Sequence, residues 1–126
     1  MDLDSTTAVL PAEDLDRISD FYETKLGLKV TKGIVGLTIG EPPAQIYVYP
    51  AASTSPGTFT QAAFAVPDVR AAVEALRRRG VVFEEYDLPM LKTTDGIAPT
   101  PDGREAAWFK DSEGNVLVVV AAEGQP

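Results

Sequence analysis

Residues 106–120, with the sequence AAWFKDSEGNVLVVV, predict two strands joined by a polar turn. Trp108 and Phe109 are aromatic strand formers, and residues 116–120 are a run of mostly β-branched residues, typical of a strand that is covered on both faces. The residues between them, 111–115, are common in turns. The stretch therefore predicts a hairpin in the core of the protein, and the rest of the chain decides which way its side chains face.

Two other stretches share one pattern. Asp14 precedes apolar residues at helical spacing and Gly27 follows them, and Asp68 and Gly80 flank a second such segment. Aspartate is a common N-cap and glycine commonly follows the last turn of a helix, so both segments are predicted helices. One predicted strand precedes each helix and about three follow it; the predicted strands lie near residues 6–10, 28–31, 33–40, 45–49, 59–66, 81–86, 103–110 and 116–121.

This order is βαβββ, and it occurs twice. We therefore predict an α+β fold in which two tandem βαβββ modules form a curved mixed sheet around a cavity. The whole chain, 1–126, is expected to be one domain, with module 1 at about 6–50, a linker at about 51–57 and module 2 at about 58–121.

The alternation of side chains along each strand sorts residues onto two faces. The residues predicted to face the helices are apolar: Ile46, Val48, Phe64, Val66, Leu117 and Val119. Those predicted to face the cavity are more mixed in character: Thr7, Tyr47, Tyr49, Gln61, Ala63 and Val118.

Composition excludes several classes of function. The 126 residues include no cysteine and no histidine, which removes thiolate chemistry, the commonest metal ligand and the commonest general base near neutral pH. The net charge of −8 argues against nucleic-acid binding, because phosphate contacts need an excess of Lys and Arg, and it favours a cationic ligand. No apolar run approaches the roughly 20 residues that cross a bilayer, and Asp2 and Asp4 are unlike the start of a signal peptide. We expect a cytoplasmic protein with no nucleic-acid or membrane partner.

Three further segments contain residues that are common in binding sites. Gly33, Gly36 and Gly40 fit neither spacing of the phosphate-binding glycine motifs, so they predict a strand pair with tight turns. Residues 88–101 contain three prolines and predict a long irregular loop, and such loops are often functional. Asp111, Glu113 and Asn115 have the wrong spacing for a calcium loop and are interpreted as turn residues.

Two segments together resemble the vicinal oxygen chelate superfamily, the group of glyoxalase I, extradiol dioxygenases and bleomycin-resistance proteins. They are DLDRISDFYETKLGL (14–28), similar to the strand-to-helix opening of that family, and WFKDSEGNVL (108–117), similar to its closing hairpin. The resemblance extends over about residues 6–121. It implies the paired-module fold, a cavity that binds a small molecule, and a homodimer.

In metal-dependent members of that family, one His, Glu or Gln from each of four strands binds a divalent ion. The resemblance puts Thr7, Tyr47, Gln61 and Val118 at those positions. Val118 cannot bind a metal, and Thr7 and a neutral tyrosine are poor ligands, so only Gln61 could contribute an oxygen. We therefore predict no metal, no cofactor and no catalytic residues.

The predicted function is metal-independent binding of a small molecule, as in a protein that sequesters an antibiotic. Aromatic and polar residues of the cavity and of the 88–101 loop are the predicted ligand-binding residues: Tyr47, Tyr49, Gln61, Trp108, Met90, Lys92 and Asp95. Three alternatives stay open. They are a metal-free lyase or isomerase that uses Asp95, Lys92 and Tyr47 in acid–base chemistry, a metalloenzyme of glyoxalase or dioxygenase type with other ligands, and an interaction module whose cavity is vestigial.

Overall fold

The structure is a computed structural model, and it describes residues 1–4 and 6–122. These residues form two compact units. Unit 1 comprises Met1–Pro56 and Asp111–Asn115, and unit 2 comprises Gly57–Lys110 and the chain from Val116 onward. Each unit has one four-stranded mixed sheet and the helix of one βαβββ module, so the predicted α+β class with two modules is confirmed.

The sheet of unit 1 has four strands: β1 (Ala8–Ala12), β2 (Val30–Lys32), β3 (Leu37–Glu41) and β4 (Ala44–Pro50). Their order is β1-β4-β3-β2, with β1 parallel to β4 and the other pairs antiparallel. The first strand lies two residues beyond the predicted 6–10 and includes Pro11. Proline is tolerated there because β1 is an edge strand, where a missing N–H breaks no ladder.

The first helix begins where the sequence predicted. The backbone N–H of Arg17 donates to Asp14 Oδ1 at 3.0 Å, which makes Asp14 the N-cap of α1 (Leu15–Asp20). A π-helical turn, Phe21–Lys25, continues the helix, and Gly27 ends it with a φ of 68°. Ile18 and Tyr22 are fully buried, as the predicted apolar stripe requires.

Unit 2 repeats this order with an insertion. Its elements are β5 (Thr60–Val66), α2 (Val69–Arg78), β6 (Asp87–Leu88), β7 (Leu91–Lys92), β8 (Ile97–Pro99), β9 (Glu105–Lys110) and β10 (Val116–Ala121). The four-stranded sheet has the order β5-β10-β9-β8, while β6 and β7 form a separate two-stranded ribbon. Asp68 caps α2 by accepting from the N–H of Ala71, and α2 packs on β9 and β10.

Two predictions for unit 2 are wrong. Residues 81–86 are not a strand, and the loop 88–101 is not irregular: it contains part of the ribbon and all of β8. The reason is that two segments share the outer edge of β9. β8 pairs with Glu105, Ala106 and Ala107, while further along Phe83 makes a single bridge to Phe109.

The register agrees with the predicted alternation of side chains. Phe64 lies opposite Val119, and Leu117 lies two residues from Val119 on the same strand, so these three side chains lie on one face of the sheet. Ile46 and Val48 are buried in unit 1, whereas Tyr47 between them is half-buried. Within residues 1–4 and 6–122, no helix is long and apolar enough to span a membrane.

Candidate functional site

One face of the unit 1 sheet is aromatic and partly exposed. The register aligns Val9 with Tyr47 and Tyr47 with Thr38, so these side chains form a row opposite to the buried Ile46 and Val48. We call this surface the aromatic face; its strand residues are Val9, Pro11, Thr31, Thr38, Gly40, Gln45, Tyr47 and Tyr49. Val9 is 52% exposed and Tyr49 is 40% exposed, so this face presents apolar and aromatic side chains at the surface.

Gly36 sets the position of the Tyr47 ring. A Cβ at residue 36 would lie 2.8 Å from the Tyr47 hydroxyl oxygen and 2.9 Å from Cζ, and it would also collide with the Val48 carbonyl. The phenol end of Tyr47 therefore occupies the space above a glycine. The ring lies along the sheet toward the start of β3, with its hydroxyl close to Gly36.

Trp108 is fixed within unit 2 by two contacts. Its Nε1–H donates to Thr60 Oγ1 at 3.0 Å, and its ring meets Tyr86 edge-to-face, with centroids 5.8 Å apart. Burial raises the pKa of the Tyr86 hydroxyl, and Glu84 adds to the rise, so this tyrosine is neutral at physiological pH. Trp108 is half-buried and keeps part of its surface accessible.

Gln61 has a structural contact that the sequence did not reveal. The register between β5 and β10 shifts at Val116 and Leu117, which forms a bulge beside Gln61. Gln61 Oε1 accepts from the backbone N–H of Val116 at 3.3 Å. This oxygen is the one that the resemblance offered as a metal ligand, and it is engaged with the backbone.

The remaining predicted residues lie in the β6–β8 region of unit 2. Met90 is at the ribbon turn and is fully exposed, and Lys92 lies opposite Asp87 in the register. Asp95 has a φ of 54° and pairs with Arg77, with an N–O distance of 3.4 Å. These contacts place the three residues in one unit with Gln61 and Trp108, whereas Tyr47 and Tyr49 belong to the other unit.

Sequence reasoning missed a buried carboxylate in the turn. The side chain of Glu113 is fully buried in unit 1, where Oε1 accepts from the backbone N–H groups of Glu13 and Asp14 at 2.6 and 3.1 Å. Oε2 accepts from Arg17 Nε at 2.5 Å. Burial alone would raise the pKa of Glu113, but the Arg17 and backbone hydrogen bonds outweigh it and hold that pKa below its usual value.

A second buried group lies in the same turn. Asp111 Oδ1 accepts from the N–H groups of Glu113 and Asn115, and Oδ2 accepts from the Tyr22 hydroxyl at 2.8 Å and from Asn115 Nδ2 at 2.9 Å. Burial raises the pKa of Asp111, which these hydrogen bonds only partly oppose. Burial also raises the pKa of Tyr22, with the charge of Asp111 as the next cause. The apolar spacing of Tyr22 gave no signal of this partner.

These oxygens do not form a metal centre. Those of Asp111 and Glu113 are already engaged with N–H and O–H donors, and no group of three or more His, Cys, Asp or Glu within the described residues could hold an ion. The positions that the resemblance assigned to metal ligands fit no better, because Val118 is apolar and Gln61 binds the backbone. The residues present therefore do not fit the divalent ion of the metal-dependent relatives.

Two surface clefts lie away from the predicted ligand-binding residues. In unit 1, a cleft of about 190 Å³ is lined in part by Leu15, Asp16 and Lys32. In unit 2, a shallow depression of about 550 Å³ is lined by residues near the start of α2 and by Arg104. None of the predicted ligand-binding residues lines either cleft.

Residues 3–119 match the family model described as the Glyoxalase/Bleomycin resistance protein/Dioxygenase superfamily. The chain belongs to this superfamily. The resemblance found in the 14–28 and 108–117 segments is thereby confirmed. No curated protein matches the sequence.

Solved structures of this superfamily fold are similar over almost the whole chain. UcmS2 is 22% identical, with a TM-score of 0.74, and the match covers 97% of this chain and 100% of that one. A bleomycin-binding protein complexed with bleomycin is 17% identical, with a TM-score of 0.72 and coverage of 96% and 100%. Lactoylglutathione lyase from Agrobacterium tumefaciens is 16% identical, with a TM-score of 0.71 and coverage of 99% and 100%. At these identities the likeness establishes the fold, which binding proteins and enzymes share.

Proposed function

We propose that this superfamily member is a metal-independent small-molecule-binding protein of the glyoxalase/bleomycin-resistance type, which holds its ligand without changing it. One observation carries the proposal: the residues at the expected metal positions cannot form a coordination sphere. Gln61 is the one candidate with a suitable oxygen, and that oxygen accepts from the Val116 N–H. A superfamily member without metal ligands keeps the fold and loses the chemistry that the ion supplies.

The surfaces that remain suit binding. Tyr47 and Tyr49 on the aromatic face, and Trp108 in unit 2, offer flat apolar surface with polar tips, as pockets for small molecules commonly do. The proposal includes Gln61, Met90, Lys92 and Asp95 as further ligand-binding residues, a homodimer as the assembly and a cytoplasmic location.

The alternative of metal-free acid–base catalysis has less support. Asp95 is largely exposed and pairs with Arg77, and its backbone carbonyl accepts from the same guanidinium at 2.9 Å. These contacts order the turn before β8. A metal-dependent glyoxalase or dioxygenase is disfavoured by the donor set, and an interaction module without a ligand is the outcome if binding fails.

The experiment is a calorimetric titration of Trp108→Ala with bleomycin and with acridine, both in excess chelator. We expect the wild-type protein to bind at least one of these probes, and the variant to bind about tenfold more weakly, because an aromatic contact contributes about 0.5–1.5 kcal/mol beyond its buried area. Phe59→Ala is the matched control, since Phe59 is a 77% exposed aromatic residue that is not among the predicted ligand-binding residues.

Trp108→Phe separates stacking from the hydrogen bond to Thr60, because it keeps a ring and removes the Nε1–H. Circular dichroism checks that each variant is folded. Equal affinities of Trp108→Ala and wild type would remove Trp108 from the site. Binding that appears only when a divalent ion is added would contradict metal independence.

A further inference from the structure

The strand residues that form the aromatic face of unit 1 carry no charged side chain. Among the residues of β1–β4, only Lys32 and Glu41 are charged. The register pairs Lys32 with Leu37 and Glu41 with Ala44, so both belong to the opposite row. Charged residues make up 24% of the sequence and the net charge is −8, yet no strand residue whose side chain lies on the aromatic face is charged.

The ring of Tyr47 leans over the strand beside it. The Tyr47 phenol lies over Gly36, where any larger residue would displace it, and this orientation lays the ring along the sheet. Val9, aligned with Tyr47 on the neighbouring strand, extends the same surface with an exposed apolar side chain. A planar molecule can therefore stack against Tyr47 while its edge contacts Val9.

The absence of charge selects between ligand classes. A cation placed on these strands gives up hydration and meets no carboxylate of the strands in return, and the attraction of a tyrosine ring for a cation offsets only part of this cost. An uncharged planar molecule loses little hydration and gains stacking area. The net charge of the chain acts at long range and is screened by salt, so it influences the encounter more than the bound state.

We propose that the ligand is an uncharged, planar aromatic molecule that stacks on Tyr47 and Tyr49, and not a cationic one as the net charge alone suggested. The proposal rests on the proposed function, because it names the class of molecule that the same binding protein would take. The Tyr47 hydroxyl adds a hydrogen-bonding group, which suits a carbonyl, hydroxyl or ring nitrogen on the ligand.

The test uses two probes of nearly the same shape. Acridine is uncharged in mildly alkaline buffer, and N-methylacridinium is a permanent cation with the same ring system. We expect fluorescence titration in excess chelator to show acridine binding about tenfold more tightly than N-methylacridinium, with little dependence on salt. Tyr47→Ala should weaken acridine binding about tenfold, and Tyr47→Phe should weaken it less.

Ile34→Ala is the matched control in unit 1, because Ile34 is a fully exposed apolar residue outside the aromatic face. Equal or tighter binding of the cation, falling as salt is added, would overturn the ligand class and leave the binding function intact. If neither probe binds and sedimentation shows that Tyr47→Ala separates a dimer, a second copy of the chain covers the face, which refutes the proposal. If neither probe binds the wild type and it is monomeric, this proposal fails, and the binding function fails with it only if bleomycin does not bind either.

Discussion

The buried carboxylate of Glu113 gives the sharpest prediction. Its two oxygens accept from the backbone N–H groups of Glu13 and Asp14 and from Arg17 Nε, all within unit 1. Glu113→Gln keeps the shape of the side chain and removes its charge. One of its two positions becomes an NH₂ group, which must then face either the backbone N–H groups or the Arg17 guanidinium.

The expected cost follows from these contacts. Hydrogen bonds to a charged group contribute about 1.5–3 kcal/mol each, and an N–H group left without an acceptor in the interior costs about 1–3 kcal/mol. Because the amide oxygen of glutamine still satisfies one side of the site, we expect a loss of about 2–4 kcal/mol in the free energy of unfolding. For a chain of this length that corresponds to a melting temperature lower by about 10 °C.

The assay is urea unfolding followed by circular dichroism and by the fluorescence of Trp108, the single tryptophan. Glu74→Gln is the matched control, because Glu74 is an exposed carboxylate that pairs with Arg78 one helical turn away. Such pairs contribute about 0.2–0.5 kcal/mol. If the two variants lost equally little stability, the reasoning that the Glu113 contacts stabilise unit 1 would be refuted.

Two further predictions concern pH and a turn. The pKa of Glu113 is held below its ordinary value of 4.5, so the stability that its charge contributes is present above that value and is lost as the pH falls through the folded-state pKa. The difference in unfolding free energy between wild type and Glu113→Gln, measured by urea unfolding, should therefore close below about pH 4.5. A difference that stays constant with pH would contradict this. Gly96→Ala should lose about 1–3 kcal/mol, because Gly96 has a φ of 79° and a Cβ there would lie 3.1 Å from the Phe83 Cβ and 2.8 Å from Arg77 Nη2. Gly103→Ala has a similar φ of 85° with open space around it and should lose less, and equal losses in thermal unfolding would show that the contacts with Phe83 and Arg77 are unimportant.

Local signals in the sequence predicted the framework well. The N-caps at Asp14 and Asp68 and the stop at Gly27 follow from short-range chemistry, so they were found without knowledge of the partners. Alternation along β4 separated the buried Ile46 and Val48 from Tyr47 for the same reason. Residues 81–86 have the composition of a strand but do not form one, because a strand needs a partner edge and β8 occupies most of the outer edge of β9.

The candidate site was harder to predict because its contacts are long-range. Glu113 and Arg17 are 96 residues apart, and Tyr22 and Asp111 are 89 residues apart, so no local pattern links them. The role of Gln61 depends on a bulge, which arises from the register between two strands and not from the residue itself. The charge-free character of the aromatic face became visible only once the register had placed Lys32 and Glu41 in the opposite row.

The most direct test of metal independence is the metal content of the purified protein, measured by mass spectrometry before and after incubation with zinc, nickel, manganese, iron and magnesium salts. The donor set at Thr7, Tyr47, Gln61 and Val118 predicts far less than one ion per chain after dialysis in every case. About one tightly held ion per chain, lost in Gln61→Ala, would contradict the account and direct the next assay to glyoxalase or dioxygenase chemistry.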